Sequence, residues 1–155
     1  FDNSFLEMLE GAKYIITADP SDRVNHFVEF LKSMTFKPIF LKDEEHDLLM
    51  AYASHFPYLM AQLTIDVSRD VDHNALKQVF GPGFRDTSRV ASSPVQWALD
   101  ISTYNKDNML KALTSLKRSI EEYEDLLQEN DEEKLNNKFT KIKQYRDQFF
   151  EGDKT

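Results

Sequence analysis

The sequence contains no cysteine, which excludes disulfide bonds and thiolate chemistry and is typical of a cytoplasmic protein. Apolar runs of the roughly 18 residues that a membrane-spanning helix requires are also missing. No secretory signal opens the chain, and its first residue is Phe1 rather than methionine. We therefore expect a cytoplasmic fragment or a processed chain, without a membrane partner.

Glycine is scarce, with four residues at positions 11, 81, 83 and 152. They form neither the Gly-x-Gly-x-x-Gly unit of dinucleotide-binding domains nor a phosphate-binding loop. The sequence therefore predicts no cofactor-binding residue and no bound cofactor in this chain.

The net charge is -8, and the acidic residues are most frequent in the last third of the chain. Such a surface repels phosphate backbones, so we expect no nucleic-acid partner. With 41% hydrophobic and 30% charged residues, the 155 residues have the composition of a globular protein. Their number suits one domain, or one domain and part of another.

The first part of the chain has the pattern strand, helix, strand. Residues 13–17 and 37–41 are short β-rich runs, and Asp19-Pro20-Ser21 begins a helix between them. Two strands cannot bury both faces of a parallel sheet. We therefore predict that residues 1–42 are the remnant of a larger sheet and that residues 43–155 form a helical domain.

Helical patterns dominate after Asp43. The predicted elements are a helix over 43–67 that is kinked at Pro57, a helix over 72–80, a polar loop over 81–89, and a helix to about residue 104 that Ser93 caps.

Two long helices close the sequence, and the short turn between them predicts an antiparallel hairpin. Their apolar stripes are Met109, Leu113, Leu116, Ile120, Tyr123 and Leu127 in the first helix, and Leu135, Phe139, Ile142, Tyr145 and Phe149 in the second. One interpretation is that the stripes face only the chain's own core. The other is a second, intermolecular contact, which Leu110 and Leu126 favour because they widen the apolar face.

Two segments contain candidate site residues. His55 lies just before Phe56-Pro57 at the predicted kink, where freed carbonyls open space for a ligand; alternatively it is a satisfied core histidine. The segment 83–89 carries two arginines, two hydroxyls and an acid that together suit an anion, or else form a surface loop with local ion pairs. The acidic segment 43–47 is more typical of a solvated helix start than of a metal site, so no metal is expected.

Four segments together resemble the prephenate/arogenate dehydrogenase family. They are Glu44-Glu45-His46-Asp47, Ser54-His55-Phe56-Pro57, Gly81-Pro82-Gly83-Phe84-Arg85-Asp86-Thr87-Ser88-Arg89-Val90-Ala91, and Trp97. The family pattern is Glu-Glu-His-Asp, Ser-His-Leu/Phe-Pro-His, Gly-Gly-Gly-Phe-Arg-Asp-Thr-Thr-Arg-Ile-Ala, and a later Trp. Each segment alone is weak evidence for the family, but four segments in the same order and at similar distances are specific to it. The resemblance extends over nearly the whole chain.

The resemblance implies a mostly α fold: a helical-bundle dimerisation domain, like the C-terminal domain of 6-phosphogluconate dehydrogenase, after a small βαβ remnant of a Rossmann domain. It implies an oxidoreductase of tyrosine biosynthesis that oxidises prephenate or arogenate with NAD or NADP and releases carbon dioxide. The family's Gly-rich loop and catalytic histidine have no counterpart here. This chain alone is therefore expected to be inactive, without a catalytic residue, and to form a homodimer through its C-terminal helices.

The resemblance also implies a substrate site. Arg89 matches the arginine that holds a substrate carboxylate, and Ser54 and His55 match the kink that lines the pocket. Tyr58 stands where the family usually has a second histidine, which leaves prephenate and arogenate open as substrates. A neutral tyrosine can still form a hydrogen bond with a carboxylate.

Three further residues complete the implied site. Gly83 allows close backbone approach, Trp97 lines or supports the pocket, and Asp47 matches an acid that reaches the pocket from the dimer partner. Pro82 departs from the family's glycine and stiffens its segment. The alternatives are a non-catalytic helical dimerisation module of the same fold and an unrelated helical binding protein.

Overall fold

The computed structural model describes residues 9–151, so the first eight residues of the predicted sheet remnant and the last four of the chain lie outside the described part. The chain divides into two compact units, Phe1–Met109 and Leu110–Thr155. This division follows packing, and the domain boundary between residues 42 and 43 stays a prediction. No helix of residues 9–151 has the length and apolar character needed to cross a membrane.

The described elements are two strands and eight α-helices, with short 3-10 and π turns between some of them. They are β1 Lys13–Ile16, α1 Asp22–Ser33, β2 Lys37–Phe40, α2 Asp43–Met50, a π turn Ala51–His55, α3 Phe56–Val67, a 3-10 turn Ser68–Asp70, α4 His73–Val79, α5 Pro82–Ser88, a 3-10 turn Arg89–Ser92, α6 Val95–Tyr104, α7 Lys106–Glu129 and α8 Glu132–Phe150. The mostly α fold with a short βαβ start is the predicted one.

The βαβ prediction is confirmed. Strands β1 and β2 pair in parallel, with Ile15 opposite Ile39, and α1 forms the crossover between them. The Ser21 side chain caps α1 by accepting a hydrogen bond from the backbone N–H of Val24 at 3.2 Å. Helix α1 buries Val28 and Leu31 against Ile16, which forms a small apolar core.

The predicted kink at Pro57 takes a different form. The irregularity lies earlier, in the π turn Ala51–His55, where the N–H of Phe56 donates to the carbonyl of Ala51 five residues before it. Pro57 lies in the first turn of α3. Proline has no N–H to donate four residues back, so the backbone widens before it rather than bending at it. The wide turn carries Ser54 and His55.

The prediction of a polar loop over residues 81–89 was wrong. Pro82–Ser88 is helix α5, and Arg89–Ser92 continues as a 3-10 turn. The proline occupies the first helical turn, where a missing N–H costs no hydrogen bond and a fixed φ favours the helix. Glycine and proline at this segment therefore begin a helix rather than break one.

The start of α6 also differs from the prediction. Pro94 occupies the N-cap position without a side-chain cap, and the Ser93 hydroxyl instead donates to the carbonyl of Val90 at 2.8 Å. Ser93 thus closes the preceding 3-10 turn.

The C-terminal unit contains α7 from Leu110 onward together with α8, and these form the predicted antiparallel hairpin. Asn130 adopts a left-handed φ of 50° between the helices, and the Asp131 side chain caps α8 through the N–H groups of Glu133 and Lys134. Lys138 joins the two helices, because its ammonium lies 2.8 Å from Glu122 Oε2 and 4.5 Å from the ring centre of Tyr123.

Much of the apolar stripe of α8 stays exposed. The accessible fractions are 49% for Phe139, 49% for Ile142, 64% for Tyr145 and 64% for Phe149. The interpretation that this stripe faces only the chain's own core therefore does not describe α8.

Candidate functional site

Three aromatic rings meet where the π turn joins α3. Tyr58 is buried and lies edge-on to Trp97, with ring centres 4.5 Å apart at 87°. His55 also meets Trp97 edge-on, at 6.4 Å and 81°. The π turn and the first turn of α3 supply His55 and Tyr58, and α6 supplies Trp97. The structure thus brings together three of the residues that the sequence predicted.

A glutamine ties this cluster to the segment that follows Arg89. The Gln62 amide nitrogen donates to the Tyr58 hydroxyl at 2.7 Å and to the carbonyl of Ala91 at 2.9 Å. Because the Tyr58 oxygen accepts this bond, its own hydrogen remains available for another acceptor. Gln62 therefore holds the 3-10 turn Arg89–Ser92 against α3, and the sequence analysis missed it.

Arg89 is exposed at the start of that turn. Within residues 9–151 its guanidinium takes part in no ion pair and no side-chain hydrogen bond. Arg85, four residues earlier, instead lies over the Phe80 ring at 5.8 Å. Neither arginine is paired with a carboxylate among the described residues, but Arg85 is placed against an aromatic ring and Arg89 is not.

Asn105 is a second residue that the sequence analysis missed. It is 7% exposed, and its amide nitrogen lies 2.7 Å from the carbonyl oxygen of Asp47 and 3.2 Å from Nδ1 of His55. Its own oxygen accepts a hydrogen bond from Asn108 Nδ2 at 2.9 Å. The available signal was an asparagine between two apolar helical patterns, at the position where α6 ends.

Burial lowers the pKa of His55 below its usual value, and this is the largest effect. The carboxylate of Asp47 acts in the opposite direction, and the neighbouring His46 lowers the pKa further. His55 is therefore held in its neutral form near pH 7, in which one ring nitrogen donates and the other accepts.

The remaining predicted site residues have simpler surroundings. The Asp47 side chain is exposed and lies 3.1 Å from His46 Nδ1, and Ser54 is half-buried within the π turn. A Cβ at Gly83 would have no described atom within 4 Å. Close approach to Gly83 thus has no counterpart among the described residues and stays a prediction, as does the reach of Asp47 into a partner's pocket.

A separate cavity of about 580 Å³ lies beside α4. Its lining includes the apolar side chains of Ile65, Leu76 and Phe80, together with Arg69 and Lys77. None of the predicted site residues lines it. The His55 cluster remains the better candidate site, because there several polar groups from different elements converge. Across the described part of the chain, no group of three or more acidic or histidine side chains is placed to hold a metal ion.

Residues 42–141 match the family model described as prephenate dehydrogenase, dimerization domain. The chain belongs to the prephenate dehydrogenase family. This confirms the resemblance stated above and excludes the unrelated helical binding protein.

Two curated relatives are prephenate dehydrogenases. The protein of Bacillus subtilis (strain 168) is 31% identical over 146 residues, which cover 90% of this chain and 39% of that protein. The protein of Lactococcus lactis subsp. cremoris (strain MG1363) is 26% identical over 143 residues, which cover 91% of this chain and 39% of that protein. The chain thus spans about two-fifths of the length of these relatives.

Solved structures of the family share the fold. Prephenate dehydrogenase from Aquifex aeolicus, in complex with hydroxyphenyl propionate and NAD+, matches with a TM-score of 0.81 at 25% identity, covering 90% of this chain and 51% of that one. Synechocystis arogenate dehydrogenase matches with a TM-score of 0.80 at 20% identity, covering 90% of this chain and 53% of that one. The second likeness concerns the fold alone.

Proposed function

We propose that this chain is the substrate-binding and dimerisation part of a prephenate dehydrogenase. In that reaction prephenate and NAD+ give 4-hydroxyphenylpyruvate, carbon dioxide and NADH, the ring losing its carboxylate as a hydride leaves for the nicotinamide. The family match over residues 42–141 and the names of both curated relatives support the proposal. The cytoplasmic location expected from the sequence stays a prediction.

The observation that carries the substrate-binding role is the position of Arg89, which has no ion-pair or side-chain hydrogen-bond partner among residues 9–151 and lies on a turn that Gln62 fastens to Tyr58. In the proposal Arg89 holds a substrate carboxylate, Tyr58 donates its free hydroxyl hydrogen, and Trp97 forms an aromatic wall. An exposed arginine on a turn that is fastened to an aromatic cluster suits a small aromatic or cyclic acid.

Four other positions take the remaining roles in the proposed site. Ser54 and His55 line it from the π turn, and Gly83 leaves open space for close approach. Asp47 is proposed to act from the partner subunit of the dimer.

The residues of this chain do not form a binding site for NAD or NADP. The four glycines of the sequence supply no dinucleotide-binding loop, so no step of the reaction is assigned to NAD or NADP contacts here. We propose that the isolated chain binds neither nucleotide and that the complete activity requires a nucleotide-binding domain whose loop has no counterpart among residues 1–155.

Homodimerisation through the C-terminal helices is the second part of the proposal. The half-exposed aromatic and aliphatic side chains of α8 support it, together with Leu110 and Leu127 of α7, which are 50% and 65% exposed. Apolar surface of this extent is typical of an interface. The family match to a dimerization domain points the same way.

Binding of hydroxyphenyl propionate to the purified chain tests the site. Titration calorimetry should detect binding to the natural sequence. Arg89→Ala should weaken it by about 2–4 kcal/mol, roughly 30- to 900-fold in Kd, because a charge-assisted pair is lost. Arg85→Ala is the matched control: it removes the same charge from the same segment and should leave Kd within about threefold.

The two variants also separate this proposal from its alternative. Equal losses for both arginines would indicate general charge attraction and remove Arg89 from the site. A dimer that binds no hydroxyphenyl propionate would favour the non-catalytic dimerisation module, for which the missing glycine-rich loop is the supporting observation.

A further inference from the structure

Asn105 connects segments that are far apart in the sequence. It lies between α6 and α7, and its side-chain partners, Asp47 and His55, are 58 and 50 residues away. A buried amide is costly unless its donors and acceptor are satisfied. All three of its groups are satisfied here, since Asn108 donates to its oxygen.

The orientation of this amide follows from its partners. The atom of Asn105 that lies 2.7 Å from the Asp47 carbonyl oxygen must be the nitrogen, because a carbonyl oxygen only accepts. The second hydrogen of the same nitrogen then points to Nδ1 of His55 at 3.2 Å. Rotating the amide by half a turn would place two oxygens against each other at Asp47 and lose the hydrogen bond to that carbonyl.

This orientation decides which nitrogen of His55 carries the proton. A protonated Nδ1 would face the N–H of Asn105 donor to donor, so Nδ1 has to present its lone pair. The neutral ring therefore carries its hydrogen on Nε2. His46 and Asp47 are the titratable groups that act on this ring, with opposite effects on its charge.

The hydrogen on Nε2 has no partner among residues 9–151. Among the described residues the ring makes one hydrogen bond, through Nδ1. No buried side-chain nitrogen or oxygen in residues 9–151 lacks a partner, so the unpaired Nε2 is open to solvent. An available N–H donor thus lies on the ring that meets Trp97 edge-on.

We propose that Asn105 is a positioning residue, which fixes His55 as the Nε2–H tautomer so that a neutral imidazole donates a hydrogen bond to an acceptor oxygen of the bound acid. The choice of an acid as ligand rests on the proposed function; the tautomer does not. Arg89 then supplies the charge that attracts a carboxylate, and His55 supplies a directional donor without a charge.

Nitrogen NMR of the 15N-histidine-labelled chain at pH 7.5 tests the tautomer directly. The expected result for His55 is an unprotonated, pyridine-like Nδ1 and a protonated, pyrrole-like Nε2. A proton on Nδ1, or averaged shifts of two exchanging tautomers, would overturn the proposal. The measurement uses the natural sequence, so it does not depend on whether any variant folds.

Asn105→Asp gives the second arm. A carboxylate at this position accepts where the amide donated, so the His55 proton should move to Nδ1. Asn25→Asp makes the same chemical change on the exposed face of α1 and should leave the His55 shifts unaltered. A folded Asn105→Asp chain that keeps the Nε2–H tautomer would contradict the positioning role.

Titration with hydroxyphenyl propionate gives the third arm. The Nε2–H proton resonance should move downfield on binding, and Asn105→Asp should raise Kd roughly fivefold through the lost neutral hydrogen bond. The expected tautomer without any binding would refute the proposed function and leave the role of Asn105 standing. Binding without a change at Nε2 would refute the donor role of His55 while the proposed function stands.

Discussion

Trp97 meets Tyr58 edge to face, with the ring centres 4.5 Å apart and the planes at 87°. This contact joins α6 to the first turn of α3. It also connects Trp97 to the turn after Arg89, because Tyr58 accepts a hydrogen bond from Gln62, which donates to the Ala91 carbonyl as well.

Trp97→Ala should reduce the free energy of unfolding by roughly 2 kcal/mol, since an edge-to-face pair and part of a buried surface are lost. Trp97→Phe should lose less than half of that, because a ring edge can still meet Tyr58. Urea denaturation followed by circular dichroism measures both. Tyr104→Ala, at a side chain that is 83% exposed, is the control. A loss from Trp97→Ala no larger than the control's would show that the contact contributes nothing.

Gln62→Glu tests the bridge between α3 and the turn after Arg89. A glutamate is nearly isosteric, but in its ionised form it donates no hydrogen bond to the Ala91 carbonyl or the Tyr58 oxygen. We expect a loss of about 1–3 kcal/mol at pH 7. The difference in free energy of unfolding between the natural chain and Gln62→Glu should shrink near pH 4, where the carboxyl regains a hydrogen. A difference that is the same at both pH values would argue against the bridge.

The stability of the fold should depend on the charge of His55. Its pKa in the folded chain is lowered, chiefly by burial, so between that pKa and the unfolded value of about 6.5 the unfolded chain binds more protons. The free energy of unfolding should therefore rise with pH through this window and level off above it.

Comparison with His55→Gln isolates that contribution. The stability of the natural chain relative to the variant should increase from pH 5 to pH 7.5, as measured by denaturation at constant ionic strength. If the difference in free energy of unfolding between the natural chain and His55→Gln stays constant or decreases as the pH rises, the pKa of His55 is not lowered in the folded chain.

The exposed stripe of α8 should mediate the dimer. Multi-angle light scattering of the natural chain should give about twice its 18.1 kDa. The double substitution Tyr145→Glu and Phe149→Glu should give a monomer, because it places charge in an apolar interface. Asn136→Glu, at an exposed position of the same helix, should leave the dimer intact. A natural chain that is monomeric at micromolar concentration would exclude this interface.

The purified chain should show no turnover of prephenate with NAD. None of its residues forms a dinucleotide-binding loop. Absorbance of NADH at enzyme concentrations of tens of micromolar gives the measurement. Detectable turnover above a heat-inactivated sample would overturn the division into a substrate-binding part and a missing nucleotide-binding part.

Local sequence determined several features of this protein. The β-rich runs before and after α1, the helix start at Asp19-Pro20-Ser21 and the apolar stripes of α7 and α8 are short-range patterns, and each gave the correct element. The ordered motifs around His55 and Arg89 gave the family. Short-range rules failed where proline has two opposite uses: Pro57 follows a π turn instead of bending a helix, and Pro82 begins a helix instead of ending one.

Only the tertiary structure showed that Gln62 and Asn105 contact the candidate site residues. Gln62 reaches Ala91 over 29 residues, and Asn105 reaches His55 over 50. The sequence does not reveal such pairings, because a side-chain amide suits many partners and its choice depends on which backbone carbonyls the fold leaves without a donor. The sequence determined which residues are candidates for binding an acid. Packing decided which of them meet, and that Nδ1 of His55 is the ring nitrogen that faces the Asn105 amide.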